Sequence, residues 1–414
     1  MKVLHINTCD ILGGAARAAY RLHRALLNEG IESRMLVQTK KSDDWTVIGP
    51  EGKFEKFINL LRPHIDRLPV FFYKNRTKTL FSPSWLPFSN VLKKINRIDP
   101  DIVHLHWICG GMLRIEEIAK IRKPIVWTLH DNWIFTGGCH IKWNCDKYKY
   151  VCMECPNLNS NKKNDLGNIG WKRKKKLFSE KDIVIVCPSR WIYEACKESS
   201  ILSGRYILNI PNLLDISVFK PFDKHKSREL WNLPLNKKLI LFGAIVAIKD
   251  VNKGYHKLVE ALKLIRTEHV ELVVFGSSEP KDAPNLGFKT HYLGHLSDDI
   301  SLVTLYSAAD VMVVPSLQEN FSNVIMESLA CGTPVVAFNV GGNSDMIDHL
   351  QNGYLAKPFD SEELARGIDW VINNDNYEEL CKNAREKILK EFDSKKIVLK
   401  YLQLYRDILE NKIN

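Results

Sequence analysis

No apolar run in the 414-residue sequence approaches the roughly 18 residues that a membrane-spanning helix needs. This excludes a protein that crosses a bilayer by helices. Met1–Asn7 leads straight into a strand pattern without an apolar leader segment, so the sequence predicts a cytoplasmic chain. There is no internal repeat and no recognised nucleic-acid-binding motif. The glycine pair near the N-terminus lacks the G-x-G-x-x-G spacing of a dinucleotide fingerprint. Acidic residues are outnumbered, 48 Asp and Glu against 59 Lys and Arg, and the net charge of +11 calls for an anionic partner. Nucleotide diphosphates, an acidic lipid surface and nucleic acid all satisfy that requirement. Ten cysteines in an intracellular chain do not make a disulfide framework, and Cys9, Cys109, Cys187, Cys196, Cys331 and Cys381 are scattered singly as packing residues.

The informative stretch is residues 311–345, VMVVPSLQENFSNVIMESLACGTPVVAFNVGGNSD. Val311–Val314 is an apolar run ended by Pro315, the pattern of a strand buried on both faces of a parallel sheet. Glu319 and the turn Asn320-Phe321-Ser322 follow. The periodic apolar residues Val324, Ile325, Leu329 and Ala330, closed by Gly332 and Pro334, then read as a helix. Pro334–Phe338 is a second strand, ended by Gly341-Gly342. The helix therefore opens at the carboxyl edge of a parallel sheet, where ligands bind. The N–H groups of residues 320–323 and the positive end of the helix dipole suit a phosphate, and the carboxylates of Glu319 and Glu327 suit vicinal hydroxyls. Phosphate with diols describes a sugar nucleotide. A capping glutamate plus a solvated one accounts for the spacing equally well.

Residues 315–342 closely resemble the donor-site signature of the retaining, GT-B-fold glycosyltransferases of family 4. The resemblance implies an α/β protein of two Rossmann-like, doubly wound domains facing a cleft, with a C-terminal helix crossing back to the first. It implies that Glu319 contacts the transferred sugar as a catalytic residue and that Glu327 holds the ribose hydroxyls, with Asn320, Phe321 and Ser322 in the donor site. Asp345 stands where the family usually carries Glu.

In the first half, strand Lys2–Asn7, loop Cys9–Gly14 and helix Ala15–Asn28 read as the start of a Rossmann-like unit. Gly13-Gly14 fits either a tight turn or a close backbone approach to phosphate. The resemblance places Gly13, Gly14 and Arg17 beside the donor diphosphate and the acceptor. Ser33–Gln38 is a strand, and residues 54–76 mix apolar and basic residues at helical spacing around two prolines. That segment is either an interfacial face or an ordinary packing helix. A helix at 91–98 and a strand Ile102–His106 follow. Strand Ile125–Leu129 puts His130-Asp131 at its carboxyl end. A histidine there is more often structural, but Thr128–Trp133 looks like the family motif that brings an active-site histidine to the transferred sugar. His130 is thus the second catalytic candidate, ahead of His104 and His106.

Cys139, Cys145, Cys152 and Cys155 are spaced C-x5-C-x6-C-x2-C. Four thiolates within 17 residues can satisfy tetrahedral zinc, although the first two gaps belong to no common finger. Loosely clustered thiols and redox chemistry remain alternatives. In family terms the segment is an insertion, similar to that of a polysaccharide-type subgroup. Residues 171–178 are a basic run on a helix, and Ile183–Cys187 and Tyr206–Ile210 are strands. The first domain is expected over 1–210, followed by a linker at 211–221 that reads Pro211-Asn212-Leu213-Leu214-Asp215 where the family has P-N-G-x-D.

The second domain, 222–393, restarts the pattern with strand Leu239–Phe242, helix Tyr255–Thr267 and strands Val270–Phe275 and His291–Leu293. Helices are expected at 361–373 and 377–391, with the terminal helix beginning at 394. The family places Gly-Arg after the first of these strands and Lys-Gly further on, both gripping the donor diphosphate. Lys253-Gly254 matches, Ala244 replaces the Arg, and Lys249 is the substitute charge. The sequence thus predicts a retaining hexosyltransferase in polysaccharide biosynthesis. Its donor is a nucleotide-diphosphate sugar and its acceptor a glycan or lipid-linked glycan, with no metal in the chemistry and peripheral contact with an anionic membrane at the inner face of the plasma membrane. A GT-B epimerase or phosphorylase is the second enzyme reading, and a nucleic-acid-binding protein the third.

Overall fold

The largely apolar runs Ile102–Leu105, Ile125–Thr128, Val184–Cys187, Val270–Phe275, Val311–Val314 and Val335–Phe338 become strands buried along their whole length, because each parallel sheet is covered on both faces there. The computed structural model of the chain describes residues 1–243, 250–276, 278, 287–296 and 298–413. Two compact units emerge, Met1–Asn212 with Ile397–Asn414, and Leu213–Lys396.

In the first unit, β1 (Lys2–Cys9), β2 (Glu32–Thr39), β3 (Val47–Ile48), β4 (Ile102–Leu105), β5 (Ile125–Thr128), β6 (Val184–Cys187) and β7 (Ile207–Asn209) form a parallel sheet of order β3-β2-β1-β4-β5-β6-β7. The order reverses between β1 and β4, which makes their carboxyl ends the ligand crevice of such a sheet. Strand alternation sends Leu4, Ile6, Val103, Leu105 and Trp127 into the main core, so His5, paired in register with His104, points the other way. The terminal helix Ser394–Leu409 closes that second face: Tyr405 Oη lies 2.6 Å from His104 Nδ1 and Tyr401 Oη 3.3 Å from Thr128 Oγ1. Cys187 and Cys196, isolated in the sequence, stand 3.7 Å apart sulfur to sulfur.

Residues 54–76 form the helix Gly52–Asp66, with Pro63 inside it, and the short helix Leu68–Phe71. The long helix is fastened to the unit by polar groups. The buried Arg62 guanidinium donates to the carbonyls of Leu86, Pro87, Phe88 and Gly111, Asp66 accepts from Trp85 N–H, and Glu55 pairs with Lys94. Its apolar residues face outward instead, with Phe54 79%, Phe57 58% and Leu60 67% exposed, followed by Phe72 at 87%.

In the second unit, β8 (Lys238–Gly243), β9 (Val270–Phe275), β10 (Thr290–Tyr292), β11 (Val311–Val314), β12 (Val335–Phe338) and β13 (Gly353–Ala356) take the order β10-β9-β8-β11-β12-β13. Here the switch lies between β8 and β11. Met312 and Val314 enter one core and Val311 and Val313 the other, so a four-residue strand serves two hydrophobic layers. The helix expected over Tyr255–Thr267 ends at Leu262, because the Asp369 carboxylate takes the backbone N–H groups of Arg266 and Thr267 at 3.0–3.3 Å. The stretch read as a linker is ordered against this unit from Leu213 onward: Leu214 N–H donates to Phe392 O at 3.0 Å, and Phe219 is buried.

Candidate functional site

The loop after β11 carries Glu319, and two glycines fix its course. Gly254 and Gly341 both have positive φ, 65° and 56°, and a Cβ on either would lie 1.8 Å from Pro315 O or 1.6 Å from Glu319 O. No other residue fits either position. Gly342 N–H donates to Glu319 O at 3.1 Å. The Asn252 side chain grips Gln318 from both sides, donating to its carbonyl and accepting from its N–H, each at 2.9 Å. The glycines of Lys253-Gly254 and Gly341-Gly342 therefore hold the glutamate loop by backbone contact. The outcome is that Lys253 Nζ stands 3.2 Å from Glu319 Oε2, with both side chains partly open to solvent. The negative charge of Glu319 holds the Lys253 ammonium above its usual pKa.

The helix after this loop spans Asn323–Ala330 with Ser322 at its N-cap, where the hydroxyl makes no capping bond. Asn320 and Phe321 thus belong to the loop, and the free N–H groups of the helix end are those of residues 322–325, two positions later than the expected 320–323. The Phe321 side chain is a core residue, edge-on to Phe392 at 5.6 Å, which leaves its backbone alone for a ligand. Glu327 is 3% exposed, and its Oε2 accepts from Tyr306 Oη at 2.8 Å. The sequence reading missed Tyr306. It lies on the helix Asp299–Ala308, whose apolar residues Leu302, Val303, Leu305 and Ala308 leave no periodic stripe to mark it. Lys249 and Ala244 lie outside the described residues.

At the switch point of the first unit, Gly13 has φ 96° and precedes the helix Gly14–Asn28, with Arg17 N–H bonded to Gly13 O at 3.0 Å. His130 follows β5 and is joined to the two histidines ranked below it. His130 Nε2 lies 3.1 Å from His106 Nδ1, and His106 Nε2 lies 3.0 Å from His5 Nδ1. His104 bonds separately to Tyr405 and Thr128. Among the described residues, His5, His104 and His106 are the one group of three potential metal ligands whose donor atoms lie within 4.8 Å of one another. Both nitrogens of His104 and of His106 already have partners, so the group is a hydrogen-bonded chain rather than a metal centre.

A neutral imidazole has one N–H and one acceptor, so the protons along this chain must all point the same way. His5 Nε2 has no partner. An unpaired buried acceptor is tolerated better than an unpaired donor, which favours protons pointing from His5 toward His106 and from His106 toward His130. His130 Nε2 then accepts. Burial lowers the His130 pKa to about 4, only partly opposed by Asp131, so the ring is neutral at pH 7. Burial pushes the Asp131 carboxyl up, but His140 at 2.6 Å and the N–H groups of Trp133 and Trp107, each at 2.8 Å, outweigh it and the net shift is downward. The four cysteines of the insertion line one small cavity.

Two Rossmann-like units of these strand orders, with an acidic loop and a histidine at their switch points, are the architecture of the GT-B glycosyltransferases. The family model for glycosyl transferases group 1 matches residues 223–390, and that for glycosyltransferase family 4 matches residues 12–218. The chain belongs to this family. A sucrose-phosphate synthase from Thermosynechococcus elongatus superposes with TM-score 0.72 at 20% identity, covering 99% of this chain and 100% of that one. Anabaena HepE, solved with UDP-glucose, superposes with TM-score 0.67 at 18% identity over 98% and 100%. At these identities the likeness concerns the fold. An Escherichia coli protein named as a putative colanic acid biosynthesis glycosyl transferase, WcaC, is 26% identical over 81% of this chain and 83% of its own. An uncharacterized glycosyltransferase of Methanocaldococcus jannaschii is 32% identical, in a match that spans 42% of this chain and 46% of that relative.

Proposed function

We propose that the protein transfers a hexose, with retention, from a nucleotide-diphosphate sugar to a glycan or lipid-linked glycan in polysaccharide biosynthesis. The observation that carries this reading is the Lys253–Glu319 pair, 3.2 Å apart on a loop that Gly254 and Gly341 fix by backbone contact. In this reading Lys253 and the start of the helix Asn323–Ala330 stabilise charge on the departing diphosphate, where a preorganised electrostatic contribution is large. Glu319 accepts from hydroxyls of the sugar and Glu327 from the ribose. Neutral His130 hydrogen-bonds the sugar, and the leaving phosphate assists deprotonation of the acceptor. Complexes of HepE with UDP-glucose, and the colanic acid role in the name of WcaC, support the donor class and the pathway class.

A thermal-shift screen of UDP-, GDP- and ADP-sugars tests the donor assignment. A true donor at 100 times its Kd adds about 2.7 kcal/mol of stability. Indifference to all three series would remove the reading. Incubation with the donor alone separates transfer from epimerisation, since an epimerase isomerises the sugar without acceptor.

The outward apolar face of Gly52–Asp66 and Leu68–Phe71 supports a lipid-borne acceptor. Lys53, Lys56, Arg67, Lys74 and Lys78 are exposed around it, and the acids of the same helices, Glu55 and Asp66, are turned inward. Phenylalanine and leucine rimmed by cations fit an anionic membrane surface. The protein is expected to float with vesicles containing phosphatidylglycerol and to be released by high salt, since charge attraction is screened beyond about 10 Å at 0.1 M. Equal flotation with purely zwitterionic vesicles would count against the electrostatic part. Flotation unchanged by Phe54→Glu with Phe57→Glu would count against this face.

A further inference from the structure

Cys139, Cys145, Cys152 and Cys155 take no part in the chemistry described above, yet they converge. All four line one cavity together with Lys142 and Lys147. Cys139, Cys152 and Cys155 are buried, Cys145 is half-buried, and none is in a disulfide. Cys139 and Cys155 stand 3.9 Å apart, sulfur to sulfur. A tetrahedral site with Zn–S bonds of about 2.3 Å has sulfur–sulfur edges of roughly 3.8 Å. That edge is already in place. No third cysteine sulfur lies within 4.8 Å of both, so the remaining two would close in from the cavity wall.

The surroundings of the sulfurs indicate what the cavity is built to hold. Each sulfur has an N–H turned toward it: the Asn157 side-chain amide at Cys139, Lys147 N at Cys145, Gly137 N at Cys152, and Asn157 N and Leu158 N at Cys155. A neutral thiol is a weak acceptor and gains little from such a donor, whereas a thiolate gains a charge-assisted bond. Donors around four sulfurs in one buried cavity are what a metal thiolate site requires of its surroundings. The Lys174 side chain, 1% exposed in the helix Leu166–Glu180, donates to the carbonyls of Trp133 and Thr136, which fastens this helix to the segment before Cys139. The glycines are placed to match. A Cβ on Gly170 would lie 1.9 Å from Gly137 O, so this helix rides directly on the segment that feeds the first ligand.

We propose that Cys139, Cys145, Cys152 and Cys155 bind one structural zinc ion. The metal would fasten the insertion to the end of β5, because Asn132 N–H donates to His140 O and Lys142 N–H to Asn132 Oδ1, each at 3.1 Å. His140, next to the first ligand, holds Asp131 beside His130.

The test is metal analysis of the full-length protein, purified without a histidine tag under reducing conditions from zinc-replete cells. About one zinc per chain is expected. It should persist in His104→Asn, which breaks up the histidine group, and fall to near zero in Cys152→Ser. Because that variant can fail to fold, the wild-type protein is also stripped with a chelator and refilled with cobalt(II). Sulfur-to-cobalt charge-transfer and strong tetrahedral d–d bands should appear and then vanish on adding zinc. Limited proteolysis within 139–164 should accelerate on stripping and slow on refilling. Substoichiometric zinc, zinc that survives Cys152→Ser, an octahedral cobalt spectrum, or a mapped Cys139–Cys155 disulfide in the reduced preparation would each overturn the assignment.

Discussion

Glu319→Ala is expected to lower kcat by about 10- to 150-fold with the true donor while leaving KM within a few-fold of the native value. One hydrogen bond from a charged group contributes roughly 1.5–3 kcal/mol, and in the proposed role it strengthens as the sugar approaches its transition state. The partner left behind, Lys253, is partly solvent-exposed, so removing Glu319 strands no buried charge and folding should be unaffected. Glu327 behaves differently. It is buried and accepts from Tyr306 Oη, so Glu327→Ala removes an acceptor from a buried hydroxyl and costs about 1–3 kcal/mol of stability besides any effect on the donor. Glu327→Gln keeps an acceptor for Tyr306 and isolates the ribose contact, which should raise KM with little change in kcat, because ribose contacts are the same in ground and transition states. Steady-state kinetics on folded variants decides. Native kcat and KM in both Glu319→Ala and Glu327→Gln would make the pair structural and remove the donor-site assignment.

The second large effect concerns acid. Burial lowers the pKa of His23 and His130 to about 4 and of His104 to about 3, and holds His5 and His106 well below the usual value. All five belong to the first unit. The unfolded chain takes up these protons near pH 6.5 and the folded chain does not, so stability present above that pH is lost as pH falls toward 4. By pH 5 a histidine lowered to about 4 contributes roughly 2 kcal/mol of loss. Three such groups approach the whole stability of an ordinary domain. Urea titrations at pH 7.5, 6 and 5 should show the first unit's transition collapsing while that of the second persists. A transition of the first unit that is flat over this range would contradict the buried, neutral state of the histidines.

Much of the donor loop was legible because its determinants are local. Val311–Val314 is all apolar, and a run of that kind between a helix and Pro315 has little choice but a buried strand. Gly341-Gly342 was legible only as the end of a strand and Lys253-Gly254 only as part of a motif; that Gly254 and Gly341 press against the carbonyls of Pro315 and Glu319 depends on the tertiary fold. What sequence could not give is what register decides. His106 and His130 are 24 residues apart, and they meet because Leu105 of β4 pairs with Trp127 of β5, carrying the residues beyond both strands to the same height. Tyr306 reaches Glu327 from a helix whose apolar residues form no single stripe, so no pattern singles out its hydroxyl. The helix from Tyr255 was read as five residues too long, since Asp369, more than 100 positions later, is what stops it. The face of Gly52–Asp66 was the opposite case. Its periodicity was visible, but which side met the protein depended on Arg62 and Asp66, polar residues that turned out to be the anchors.

Three imidazoles joined end to end hold a single binary choice, because no ring can reverse unless its neighbours reverse with it. A sugar hydroxyl meeting His130 therefore encounters either a donor or an acceptor according to an arrangement settled at His5, which lies at the blind end of the row and never meets a ligand.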